Sequence, residues 1–198
     1  YWPLRAARLA TVFMSLAAII FCFTAGLEAT GRISVGLLTA GFVAFLPQFS
    51  FRGSHISNDV LVTTFCAVTL YLNVRLIKRG FRWRLGAAAA AFSAAAFLSK
   101  INAIFLVLPL ALAIASERTA PAKRIVRLSV LGVAALIAAP WMLRNLELYG
   151  DLFASKAMQT VVGHIVVNKS LFSWYFVHPF PELLAKSFIG VFGWMNLF

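Results

Sequence analysis

Apolar residues follow one another in long runs along this chain, and a short polar or basic link closes each run. The runs are about 16 to 22 residues long, close to the length that a helix needs to cross a hydrocarbon core of about 30 Å. Residues 85–99 and 101–116 are apolar on every side, whereas a surface helix of a soluble protein keeps a polar face. The pattern predicts an all-α, polytopic bundle of transmembrane helices.

Six spans can be placed on the sequence, and an irregular segment follows them. We predict the spans near residues 8–28, 32–49, 58–77, 84–99, 101–116 and 125–143. Only Ser99 and Lys100 separate the fourth span from the fifth, so the two form either a tight hairpin or one kinked segment. Polar and aromatic residues are mixed over 144–187, which indicates an extracytoplasmic segment, and 188–198 begin a further apolar helix. Because both ends of the sequence are abrupt, we expect an internal piece of a longer protein.

Composition and charge place this bundle in a cell membrane. Hydrophobic residues make up 62% of the 198 residues and charged residues 12%, against about 25% charged in soluble proteins. The net charge of +12 is concentrated in the links 75–84 and 117–127, with Arg32 beside them. Short basic loops stay in the cytoplasm, so we expect a multi-pass plasma-membrane protein. Charge divided between loops argues against nucleic acid as a partner and leaves membrane lipid, through its anionic headgroups.

The polar stretch 47–59, between two apolar runs, carries the first candidate chemistry. It holds Arg52, His55, Asn58 and Asp59, and ionisable groups at a membrane edge usually face protein or a water-filled cavity. Asn58 and Asp59 could simply cap the helix that follows, but capping accounts for only one of the four. The alternative is a binding role, with Asp59, Asn58 and His55 toward substrate or a divalent metal and Arg52 toward a phosphate.

Two further cations lie, like residues 47–59, at the span ends opposite the basic links. This face is predicted to be extracytoplasmic. Lys100 stands between two apolar spans, where it either extends to the interface or lines an outer cavity and pairs with a lipid-linked phosphate. Arg144 follows Pro140 and Trp141, and it is either a basic anchor next to an aromatic belt or a second phosphate ligand. Asp151, after Gly150, is expected to close a turn.

The order of these short motifs resembles the GT-C class of membrane glycosyltransferases that use polyprenyl-phosphate sugars. The protein O-mannosyltransferase and aminoarabinose transferase group, that is, glycosyltransferase family 39, is the most similar. The motifs are Leu46-Pro-Gln-Phe, Ser57-Asn-Asp59, Phe97-Leu-Ser-Lys100, Pro140-Trp-Met-Leu-Arg-Asn145, Tyr149-Gly-Asp151 and Ser187-Phe-Ile-Gly-Val-Phe-Gly-Trp194. Ser99 departs from the threonine that many relatives carry before this lysine.

The resemblance implies transfer of a sugar from a polyprenyl-phosphate donor to an acceptor protein, lipid or glycan at the outer face. It implies that Asp59 is the second acidic position of the family, linked to metal or substrate, and that Lys100 and Arg144 face the donor phosphate. The catalytic base of such enzymes is expected upstream of this sequence, so the piece alone is expected to be inactive.

Two other function classes remain open on the sequence. A transporter or flippase of an amphipathic anion would use the same cations without chemistry, although the paired halves of an inverted repeat are not visible. A structural subunit would tolerate substitution of Asp59 and Lys100.

Overall fold

The computed structural model describes residues 2–116, 120–162 and 179–189, and all regular structure in these ranges is helical. The all-α prediction is therefore confirmed for the described ranges. In chain order the elements are α1 (Trp2–Thr30), α2 (Ile33–Ala44), α3 (Pro47–Gly53), α4 (Asn58–Arg79), α5 (Trp83–Ser99), a 3₁₀ helix (Ile101–Leu106), α6 (Val107–Ala115), α7 (Pro121–Leu128), α8 (Leu131–Tyr149), α9 (Ser155–Val162) and α10 (Pro179–Ile189).

The predicted number of six spans is not confirmed. Among the described residues, three helical segments are long and apolar enough to cross a membrane: Trp2–Thr30, Asn58–Arg79 and Pro121–Tyr149. A fourth span is possible if α2 and α3 are taken together, although they are bent by 66°. The apolar runs of the sequence include breaks in the helices, and a run with a break is not one long spanning helix. Pro47 has no N–H to continue a helix, and it starts α3 in a new direction.

The fourth and fifth predicted segments form a hairpin. Lys100, between α5 and the 3₁₀ helix, is extended with φ −157° and ψ 124°. Ala89, in the first half of α5, and Ile114, at the end of α6, belong to one buried apolar cluster. A continuous kinked segment would separate these two residues by most of its length, so the chain must turn back at Lys100.

Both basic links lie at one end of the bundle, as predicted. Arg79 at the end of α4 donates to both carboxylate oxygens of Glu28 in α1, at 2.5 and 2.6 Å. The guanidinium of Arg127, on α7, lies 5.1 Å from the centre of the Phe81 ring. Residues 75–84 and the described part of the second link, 120–127, are therefore neighbours, and Asn58 and Lys100 lie at the opposite ends of α4 and α5.

Small residues let α1 and α2 cross closely. A Cβ placed on Gly36 would lie 2.9 Å from the carbonyl oxygen of Phe23, and a Cβ placed on Gly26 would lie 3.2 Å from the Cα of Gly36. Close backbone approach through small residues is a common way for membrane helices to associate. Gly41, on α2 as well, has nothing within 4 Å of its Cβ position.

We expect Gly36→Ala to destabilise the protein by about 1–3 kcal/mol, because a backbone carbonyl leaves no room for the methyl group. Thermal unfolding in detergent checks this. Gly41→Ala is the matched control, since it puts the same methyl group on the same helix in open space and should be neutral or slightly stabilising. Equal losses for the two variants would contradict the close crossing.

The end of α8 differs from the predicted boundary of the sixth span. The helix continues beyond Leu143 to Tyr149, and Gly150, with φ 67°, ends it in the left-handed conformation. The side chain of Asp151 then accepts hydrogen bonds from the backbone N–H groups of Phe153 (3.2 Å) and Ser155 (2.5 Å). Asp151 is thus the predicted turn residue. Residues 163–178 and 190–198 of the predicted outer segment and further helix lie outside the described residues.

The Asp151 turn should be sensitive to acid. The hydrogen bond from the Phe153 N–H, with that from Ser155, lowers the pKa of the carboxyl below its ordinary value of 3.8. Because the folded-state pKa is the lower one, this stabilisation is complete above about pH 5 and is lost as the pH falls through the folded-state pKa. The unfolding midpoint of the native protein should exceed that of Asp151→Asn at pH 7, and the gap should narrow below pH 4. A constant gap would contradict the assignment.

Candidate functional site

A polar cavity of about 420 Å³ opens beside the first turn of α4 and the break at Lys100. Its lining comes from α3, α4 and the start of the 3₁₀ helix: Gln48, Arg52, Asp59, Val62, Thr63, Cys66, Lys100, Asn102 and Ala103. Three of the predicted site residues, Arg52, Asp59 and Lys100, are among them. The structure therefore joins two stretches that are 41 residues apart in the sequence.

Two breaks in apolar helices bring these charges together. The bend before Pro47 redirects the chain, and the hydroxyl of Ser50 donates to the carbonyl of Ala44 across it, at 3.0 Å. Arg52 on the short helix α3 consequently lies over the start of α4. The second break is the extended Lys100, which places its side chain at the same end.

Asp59 is the centre of the site, with one cation on each carboxylate oxygen. Oδ1 accepts a hydrogen bond from Lys100 Nζ at 2.5 Å, and Oδ2 accepts one from Arg52. The Asp59 side chain is 18% exposed, whereas those of Lys100 and Arg52 are 44% and 48% exposed. Two cations and one carboxylate leave a net charge of +1 at the mouth of the cavity.

Capping does not explain the polar residues at the start of α4. Ser57 occupies the N-cap position and makes no side-chain hydrogen bond to the helix. The Asn58 side-chain amide donates to the carbonyl of Ser99 at 2.8 Å, at the end of α5. Asn58 therefore ties the two helix ends that carry Asp59 and Lys100, and it fixes the distance between those groups.

His55 and Arg144 are not brought to this cluster. The Nδ1 atom of His55 lies 2.8 Å from the carbonyl of Phe51 and 2.9 Å from the Ser54 hydroxyl, so the ring is held by its own loop. Arg144 is exposed on α8, and it forms no hydrogen bond or ion pair with the residues that the structure describes. Roles for these two in substrate, metal or donor-phosphate binding stay predictions.

The described residues do not fit a divalent metal ion. No group of three His, Cys, Asp or Glu side chains suited to a metal occurs among them. Both oxygens of Asp59 already accept from cations, and a metal there would have to displace Arg52 or Lys100. The divalent metal ion stays a prediction.

Gln48, Thr63 and Asn102 line the cavity without having been singled out on the sequence. The Thr63 hydroxyl donates to the Asp59 carbonyl at 2.7 Å, so it supports the first turn of α4. The side-chain oxygen of Gln48 is buried and has no partner among the described residues. For Gln48 and Asn102 the available signal was a polar residue within two positions of Pro47 or Lys100.

An apolar cavity of about 240 Å³ adjoins the polar one, and the two share Ala103 in their linings. Phe97, Ile104, Val107, Ala138 and Met142 are among its walls. Ser93 also lines it, but the serine hydroxyl donates to the carbonyl of Ala89 at 2.8 Å. One cavity therefore has a charged lining and its neighbour a hydrocarbon-like lining, a pair that suits an amphipathic anion.

Comparison with known proteins agrees with the resemblance seen in the motifs. No curated protein and no solved structure matches the chain significantly. Residues 3–143 match the family described as dolichyl-phosphate-mannose-protein mannosyltransferase. This match covers most of the chain, including both helix breaks and the Asp59 cluster. The chain therefore belongs to the dolichyl-phosphate-mannose-protein mannosyltransferase family, a family of membrane glycosyltransferases.

Proposed function

We propose that this protein takes part in the transfer of a sugar from a polyprenyl-phosphate donor to an acceptor, and that the donor phosphate binds at Lys100 and Arg52. One observation carries the proposal. In a chain of this glycosyltransferase family, Asp59 holds two cations at a cavity that shares the lining residue Ala103 with an apolar cavity.

The charge of the cluster suits the charge change of the reaction. A polyprenyl-phosphate sugar is a phosphodiester with one negative charge. Cleavage of the bond between the anomeric carbon and the phosphate oxygen leaves a prenyl phosphate with one more negative charge. Cations that face this phosphate bind the transition state and the leaving group more tightly than the donor, and that difference accelerates the chemical step.

The start of α4 adds to the positive potential of the two cations. The helix has 22 residues and begins at Asn58, next to the cluster. The N-terminus of a helix carries a partial positive charge and free N–H groups, both of which favour a phosphate. The lipid end of the donor would then lie in the apolar cavity, where about 25 cal/mol is gained for each Å² of apolar surface removed from water.

Transfer also requires a base that removes the proton from the acceptor hydroxyl. Asp59 is the one carboxylate among the described lining residues, and its two oxygens are engaged by Lys100 and Arg52. We assign Asp59 the role of a positioning residue that sets the two cations. The acceptor, whether protein, lipid or glycan, would approach through the polar mouth.

The distribution of basic residues supports an extracytoplasmic position for this mouth in the plasma membrane. Both basic links and Arg32 lie at the opposite end of the bundle, and short basic loops are retained in the cytoplasm. Labelling of a cysteine introduced at Asn102, by a membrane-impermeant maleimide in intact cells, tests the orientation. Lys123→Cys, at the other end, should be labelled only after permeabilisation.

The experiment that tests the function separates chemistry from transport. Membranes that contain the native protein are supplied with a polyprenyl-phosphate donor labelled in its sugar, and release of the sugar from the lipid is followed with time. We expect release that depends on the protein and on an added acceptor fraction. A parallel measurement follows movement of the intact donor between leaflets of proteoliposomes.

Each outcome decides whether the protein is a transferase or a flippase. Sugar release without faster movement of the donor across the bilayer supports the transferase. Movement of intact donor with no release would replace it with a flippase. If the protein shows a thermal transition and is therefore folded, the absence of both activities would overturn both the transferase and the flippase. Addition of a metal chelator in the first assay tests the predicted divalent ion, because loss of release that is restored by metal alone would show that the reaction requires one.

A further inference from the structure

A second charged cavity lies at the basic end of the bundle, away from the Asp59 cluster. It has a volume of about 350 Å³ and is lined by Trp83, Ala122, Lys123, Val126 and Arg127. Trp83 begins α5, and Ser99 ends it next to Lys100. Seventeen residues of helix correspond to about 25 Å, so this cavity is near the other membrane surface.

The lining combines cations with aromatic rings. The Arg127 guanidinium lies 5.1 Å from the centre of the Phe81 ring, and this ring meets the indole of Trp83 edge-on at a centroid distance of 5.1 Å. The stack fixes where the charge of Arg127 lies. Lys123 is exposed and forms no ion pair within the described ranges. None of the five described lining residues is acidic, so the cavity is complementary to an anion.

The helix α7 is the first part of the segment Pro121–Tyr149, which is long and apolar enough to cross a membrane. Lys123 and Arg127 share it with Ile125 and Val126, which are 70% and 58% exposed. Basic side chains at the end of a spanning segment extend to the headgroup level, while the apolar side chains beside them stay at the acyl boundary. Trp83 is 53% exposed, and tryptophan is enriched at this same level.

We propose that this cavity binds the headgroup of an anionic phospholipid from the leaflet at the basic end. The phosphodiester lies between Lys123 and Arg127, beside the uncapped first turn of α5. The acyl chains then run along the exposed apolar side chains of α7. This site uses none of the residues assigned to the donor, and it does not depend on the proposed transfer reaction.

Quenching of Trp83 fluorescence by brominated lipids tests the proposal. The whole protein is reconstituted in bilayers of phosphatidylcholine and phosphatidylglycerol at one fixed ratio, with bromine on the chains of one lipid or of the other. The Trp83→Phe variant gives the signal of the remaining indoles, which is subtracted. We expect the Trp83 signal to report a preference for phosphatidylglycerol on the order of tenfold, since two cations near the membrane surface attract an anionic headgroup.

Charge variants distinguish a site from general attraction to the leaflet. Lys123→Gln combined with Arg127→Gln should abolish the preference, and Lys123→Arg combined with Arg127→Lys should keep most of it. Arg32→Gln combined with Lys78→Gln removes the same charge from exposed positions at the same end, outside the described lining, and should leave the preference intact. Equal quenching by both lipids, or loss in this control pair as well, would overturn the site.

A last measurement tests whether the cavity binds a lipid headgroup or a soluble anion. Inorganic phosphate is added in excess at constant ionic strength. An unchanged preference for phosphatidylglycerol supports a lipid site. Loss of the preference with added phosphate would overturn the proposal in favour of a site for soluble phosphates.

Discussion

Lys100→Gln should reduce sugar release from the polyprenyl-phosphate donor by about 10²- to 10³-fold. Removal of one preorganised group that stabilises developing charge in an enzyme site costs about this much. Glutamine is one atom shorter but keeps a polar end, and it removes the cation that contacts Asp59 at 2.5 Å. Because the charge on the phosphate grows as the bond to the sugar breaks, the loss should appear mainly in kcat.

Lys156→Gln is the matched control for this change. Lys156 is an exposed lysine on α9 and does not line the polar cavity within the described residues. The control should retain activity. Arg144→Gln tests the remaining predicted phosphate ligand in the same assay. Full activity of Lys100→Gln, at matched expression and with an unchanged thermal transition, would remove Lys100 from the site and with it the proposed position of the donor phosphate.

Asp59→Asn should lower kcat/KM by about ten- to 150-fold. Hydrogen bonds to charged groups contribute about 1.5–3 kcal/mol each, and asparagine cannot hold Lys100 and Arg52 as an anion does. The two cations then move apart, and the donor phosphate meets them in a less favourable arrangement. Asp59→Glu keeps the charge and should restore part of the activity.

A double-mutant comparison shows whether Asp59 acts through its cations. If it does, Asp59→Asn combined with Lys100→Gln should be scarcely worse than Lys100→Gln alone, because coupled groups are not additive. A different result would give Asp59 another role. Complete loss of kcat in Asp59→Asn, no rescue by glutamate and additive effects would identify it as a group that reacts with the acceptor.

Some parts of this protein follow from its sequence alone. Long apolar runs can be satisfied in a membrane only as helices, and the positions of Lys and Arg in the links 75–84 and 117–127 indicated which helix ends lie together. The turn at Asp151 followed from the adjacent Gly150, whose φ of 67° is accessible to glycine at little cost. These features depend on neighbouring residues, so local sequence was sufficient to predict them.

The number of spans and the site geometry depended on how the helices pack. The sequence indicated Arg52, Asp59 and Lys100 as candidates, but only the hairpin at Lys100 and the bend before Pro47 place both cations on one carboxylate. In the same packing, the His55 ring contacts the carbonyl of Phe51 in its own loop, and Gln48 lines the cavity. Contacts between residues 41 positions apart depend on the direction of every element between them. Periodicity and composition do not encode that direction, so the tertiary structure alone decided which charges meet.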